Sequence, residues 1–144
     1  MKANKSIVRA GFTLVELAVV IVIIGVLAAF AVPRFRASVE RSKAAEAFNY
    51  LSSIQAAMER YHARQSTYAE EVNDLDIQFT APKYFTVGTV EPGGTADLED
   101  SWSLTLTRLG AAAGYGPYTV IFTEEGFDET STITEHEDIN PMQT

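Results

Sequence analysis

The chain has 144 residues, with 11 basic and 19 acidic side chains, a formal net charge of −8 and no cysteine. That balance argues against nucleic acid as a direct ligand, since phosphate contacts need clustered Lys and Arg, and it removes disulfides and thiolate zinc. With His62 and His136 the only histidines and no Gly-rich phosphate loop before a helix, no nucleophile constellation can be assembled, and the residues point away from an enzyme.

Residues 1–11 form a short basic leader, with Lys2, Lys5 and Arg9, ending in the small residue Gly11. From Phe12 to Val32 the chain runs apolar with a single charge, Glu16. At 1.5 Å per residue a helix of that length is about 31 Å long, against a hydrocarbon core of about 30 Å. A lone carboxylate there costs a few kcal/mol unless something neutralises it. A cut between Gly11 and Phe12 would supply the neutralising group, a free α-amine on Phe12 close to Glu16 in sequence. Basic residues ahead of the span put the N-terminus on the cytoplasmic side and the rest of the chain outside. Two other readings fit these residues. One is a secretory signal peptide cleaved at Ala29-Phe30-Ala31, the other a plain single-pass anchor with an incidental glutamate.

After Pro33, residues 34–65 read as an amphipathic stem. Phe48, Leu51, Ile54, Met58 and Tyr61 recur at steps of three and four, one face of a helix, and the aromatics among them read as ordinary core. Pro33 is tolerable as a kink at the end of the membrane half. The stem holds Arg34, Arg36, Arg41, Lys43, Arg60 and Arg64 against three acids, whereas beyond residue 65 only Lys83 and Arg108 stand against fifteen. A basic stem thus carries an acidic head. The basic cluster suits either outer lipid headgroups or the acidic surface of a neighbouring copy.

Residues 66–144 read as a β-rich head. A loop runs through Pro82, with Leu75, Ile77 and Phe79 turned onto the head. Strands are predicted at Tyr84–Val90, Trp102–Arg108 and Tyr118–Thr123, with a fourth at Ser131–Glu135 joined through a hairpin loop over Glu124–Glu129. Pro92-Gly93-Gly94 supplies a turn, Ala111 to Pro117 a flexible connection, and Asp138–Thr144 a loose tail. No cofactor is expected. Zinc lacks ligands, and Asp97, Glu99 and Asp100 are weak calcium candidates without the spacing of a calcium loop, as is the acid-rich Glu124–Glu129 stretch.

Gly11-Phe12-Thr13-Leu14-Val15-Glu16-Leu17 resembles the processing motif of type IV prepilins, which carry a class III leader, and of the pseudopilins of type II secretion. The likeness is strong over about residues 1 to 65 and one of general layout beyond. It implies cleavage after Gly11 by a prepilin peptidase, N-methylation of Phe12, and pairing of Glu16 with the Phe12 amine of a neighbouring subunit. Gly25 and Pro33 fall where the family loosens its helix, and Tyr61 and Tyr68 resemble tyrosines flanking the helix exit. The implied fold is α+β: a long N-terminal helix, membrane half (12–33) plus amphipathic half (34–65), packed against a small antiparallel sheet. The implied partners are the chain itself in a helical homopolymer, the inner membrane before assembly, the peptidase and the pilus assembly machinery. The resemblance implies a structural subunit, a major pilin, of a filament at the cell surface; twitching motility, adhesion, DNA uptake and secretion all share this N-terminal architecture. A type II secretion pseudopilin and a membrane-anchored acidic binding domain are the alternatives. Two features depart from the family: there is no C-terminal disulfide, and Asp100-Ser101-Trp102-Ser103 lacks the Pro and Gly of the pseudopilin Asp-Pro-Trp-Gly stretch.

Overall fold

The computed structural model describes residues 11–78, 80–111 and 114–143. It is an α+β chain with one long helix, α1 (Leu14–Gln65), followed by a four-stranded antiparallel sheet. The chain divides into two compact units, Met1–Phe35 and Arg36–Thr144. In the first, α1 carries an apolar window long enough to cross a membrane, and none of it is buried. Pro33 lies inside α1 and cannot donate to the carbonyl of Ala29.

In the second unit α1 buries one stripe, Glu40, Ala44, Ala47, Phe48, Leu51, Ile54, Ala57 and Met58, at helical steps of three and four. Tyr61, the last of the predicted stripe, is half-buried. This stripe shares one core with the sheet: β1 (Phe85–Pro92), β2 (Trp102–Arg108), β3 (Tyr118–Thr123) and β4 (Gly126–Phe127), in that spatial order. Strand β2 alternates strictly, with Trp102, Leu104, Leu106 and Arg108 inward, and β3 does the same with Tyr118, Val120 and Phe122. Phe48 of α1 meets Phe122 edge-on at 5.8 Å between ring centres. Each fully buried Leu or Ile here contributes roughly 1.5–3 kcal/mol.

Both β2 and β3 begin and end where the alternation predicts. β1 starts one residue later than predicted and runs on to Pro92 through a bulge. Val87 faces Leu106 and Val90 faces Leu104, so Gly88 and Thr89 together oppose the single residue Thr105. A Cβ on Gly88 would come within 2.9 Å of the Thr105 carbonyl oxygen, which is why glycine stands there.

Three expectations for the head are corrected. Ser131–Glu135 is not a strand; Thr132–Glu135 is a short 3-10 helix, and the fourth strand is Gly126–Phe127, inside the stretch expected as a loop. The hydroxyls explain the exchange. Ser131 Oγ accepts from the Ile121 N–H at 2.9 Å and Thr132 Oγ1 from the Thr119 N–H at 2.7 Å. Side chains thus satisfy the edge of β3 where a strand's carbonyls would have done so. The segment after Asp138 is not a loose tail: Ile139 and Asn140 are buried, and Arg41 donates to the Gln143 carbonyl at 3.1 Å. In the 66–82 loop Leu75 is buried, but Ile77 is 48% exposed instead of turned inward, and Phe79 lies outside the described residues.

Candidate functional site

The N-terminal end of α1 carries the predicted site residues. Gly11 is exposed, Phe12 is 86% exposed, and the helix begins two residues later. Thr13 and Glu16 close that end reciprocally. The Glu16 N–H donates to Thr13 Oγ1 at 3.2 Å, while the Thr13 N–H and hydroxyl donate to Glu16 Oε2 at 2.9 and 3.0 Å. This is a capping box, in which a Thr at the N-cap and a Glu three residues on satisfy two donors that a helix start leaves orphaned. The carboxylate also sits at the positive end of the helix dipole. Glu16 therefore has a partner within its own chain, which the reading of a lone acid missed. The signal was present, since Thr-x-x-Glu before an apolar run spells such a cap. Both bonds fall on Oε2, and Oε1 makes none among the described residues. Gly25 and Pro33 lie farther along α1, and nothing approaches within 4 Å of where a Cβ on Gly25 would stand.

The head contains a second constellation that the sequence reading did not identify. Glu40 on α1 is fully buried and binds Arg108 of β2 through both carboxylate oxygens, at 2.6 Å from Nε and 3.3 Å from Nη2. The Tyr118 hydroxyl donates to Glu40 at 3.2 Å, Lys43 reaches it at 3.4 Å, and Arg108 also donates to the Tyr84 and Leu109 carbonyls. Burial by itself raises the Glu40 pKa. Hydrogen bonding and charge from Arg108, helped by Lys43 and Tyr118, outweigh it and hold the carboxyl below its ordinary value. Burial, then the Glu40 charge and hydrogen bond, push the Tyr118 phenol upward.

Tyr68 is buried after the exit of α1, stacked on His62 at 4.4 Å between rings, and its hydroxyl donates to Glu59 at 3.3 Å. Burial first and the charge of Glu59 second push its phenol up to about 12. The calcium candidates are not brought together: among the described residues no three His, Cys, Asp or Glu side chains converge as a metal site. Asp97 instead accepts from the Glu99 N–H, and Glu124 from the Trp102 N–H.

The chain thus has, as separate units, a capped and exposed apolar helical segment and a packed α+β body. Comparison with known proteins gives the family. Residues 8–32 match the prokaryotic N-terminal methylation motif. Over 108 residues the chain is 37% identical to the fimbrial protein EcpC of Eikenella corrodens, a match covering 74% of this chain and 69% of that one. It is 38% identical over 65 residues to the type IV major pilin protein PilA of Myxococcus xanthus, covering 45% of this chain and 30% of PilA. It is 32% identical over 74 residues to the type II secretion system core protein G of Vibrio cholerae, covering 51% of each. No solved structure matches significantly. The chain belongs to the type IV pilin and pseudopilin superfamily, and it is a structural subunit, not an enzyme.

Proposed function

We propose that the chain is the precursor of a major pilin, cut after Gly11 by a prepilin peptidase, methylated on Phe12, and polymerised into a type IV pilus at the cell surface. In this reading residues 1–11 are the leader, 12–33 the membrane helix that becomes filament core, 34–65 the stem and 66–144 the head. The observation that carries it is Glu16, the single charge of an exposed apolar helix that lies within the N-terminal methylation motif.

Before assembly the helix rests in the inner membrane, and the capping box satisfies one oxygen of Glu16 without a partner subunit. On docking, the Phe12 amine of a neighbour binds the free Oε1, and the ion pair offsets the desolvation of both charges only when the subunits are in register. Apolar contacts between helices then replace lipid. The pseudopilin reading is supported by the likeness to core protein G. It implies a calcium-holding head, for which the acids of this head offer no convergent site among the described residues.

Glu16→Gln tests the mechanism, because glutamine keeps a capping box but not the charge. Leader removal should stay near wild type while sheared filament falls at least tenfold. Thr13→Ala removes the cap alone and should assemble far better than Glu16→Gln. Normal filament yield from Glu16→Gln would sink the pairing step.

A further inference from the structure

The mature region has eight basic residues, all described, and six of them have a partner within the chain. Arg41 donates to Gln143, Lys43 and Arg108 bind Glu40, Arg60 and Arg64 bind Asp76, and Lys83 lies over the Tyr84 ring. Arg34 and Arg36 are exposed and make no ion pair or hydrogen bond among the described residues. The head has the opposite imbalance. Beside the exit of α1 lies a groove of about 540 Å³ whose lining includes Tyr61, Tyr68, Glu70, Asp74, Asp97 and Glu99. All four acids are exposed, and none has a cation within ion-pair distance among the described residues.

We infer that this groove is the seat for the Arg34–Arg36 segment of another copy of the chain. Charge complementarity selects the occupant: the two cations left unpaired among the described residues match a groove of carboxylates unpaired among them. The half-buried Tyr61 ring adds a face on which a guanidinium stacks. Arg34 and Arg36 stand two apart on α1, so their side chains leave the helix on different sides. In a helical polymer each groove then takes this segment from a single neighbouring copy, through the side of α1 that faces it, and the contact sets subunit register. Asp97 and Glu99, weak as calcium ligands, thereby have a role. The inference rests on the filament reading above.

The chain has no cysteine, so an introduced pair reports contact without background. Full-length chains carrying Arg36→Cys and Glu99→Cys are co-expressed, filaments are sheared off and oxidised, and disulfide-linked dimers are measured. A Glu125→Cys partner, in the β3–β4 turn, serves as control. Dimers with Glu99→Cys and not with Glu125→Cys are expected. In parallel, Asp97→Lys with Glu99→Lys should lower filament yield roughly tenfold, as should Arg34→Glu with Arg36→Glu, and the two sets combined should recover most of it. If unmodified chain gives filaments but neither cross-link nor charge effect is seen, this inference falls and the filament reading stands. If the arginine changes alone act, by releasing precursor from the membrane while groove changes do nothing, the arginines serve lipid phosphates and the inference is overturned. If unmodified chain gives no filament, both fall.

Discussion

Glu40 Oε1 of the stem lies 2.6 Å from Arg108 Nε of the head, with both side chains buried. The pair ties the stem helix to the end of β2, and the Tyr118 hydroxyl ties β3 to the same carboxylate. A charge on the buried face of a helix is costly unless matched, so the pair fixes which residue of β2 sits over which turn of α1. Removing either partner leaves the other buried and unpaired. Glu40→Ala and Arg108→Ala should each lower the stability of the detergent-solubilised chain by about 3–5 kcal/mol, read by chemical denaturation. A loss under 1 kcal/mol from both would mean the head does not depend on this contact.

Acid should weaken the same contact. The Glu40 carboxyl is held below its ordinary value in the fold, so its stabilisation is complete above the unfolded pKa of about 4.3 and is lost as pH falls through the folded one. The difference in Tm between wild type and Glu40→Gln should be largest near neutral pH and shrink below about pH 4. A difference that stays constant into stronger acid would contradict the assignment.

The two halves of α1 should answer differently to truncation. Leu51 is fully buried in the core, whereas Leu27 is 64% exposed in the first unit. Leu51→Ala should cost about 2–5 kcal/mol in the head. Leu27→Ala should leave the unfolding of the head unchanged and show its effect only in filament yield. Equal effects on denaturation would contradict the division.

Ser131 replaces a strand with a hydroxyl. Its Oγ receives the Ile121 N–H and donates to the Asp128 carbonyl, and the residue is fully buried. Ser131→Val, favourable for a strand, should instead destabilise by about 1–3 kcal/mol, because a buried donor is orphaned. A neutral or stabilising result would restore the strand reading.

Calcium should not shift the melting of the head. Among the described residues, Asp97, Glu99 and Asp100 belong to no group of three or more acids or histidines placed to hold a metal ion. Millimolar calcium and a chelator should give the same Tm within about 1 °C, since only a ligand that binds the native state raises it. A rise of several degrees with calcium would reveal a site.

The stem stripe and strands β2 and β3 could be read because each buries one face against one core, and the period of the pattern is the period of the element. Ser131–Glu135 misled for a physical reason. It is rich in hydroxyl residues, Ser131, Thr132 and Thr134, which serve a strand's face or a neighbour's backbone equally well. The Glu40–Arg108 pair was partly legible: Glu40 stands four residues before Ala44 on the buried stripe, and Arg108 continues the inward parity of Trp102, Leu104 and Leu106. Both break the apolar pattern at inward positions, and only a partner of opposite charge reconciles that with burial. The anchoring of Ile139 and Asn140 had no comparable signal, because a short segment without periodicity does not show where it docks.

The most direct test is the intact mass and N-terminal sequence of the protein in a sheared cell-surface fraction. A chain beginning at methylated Phe12 is the expected result, joining leader removal to filament assembly in one sample. A chain beginning at Val32, or an uncut chain held in the membrane, would contradict the pilin assignment of Gly11, Phe12 and Glu16.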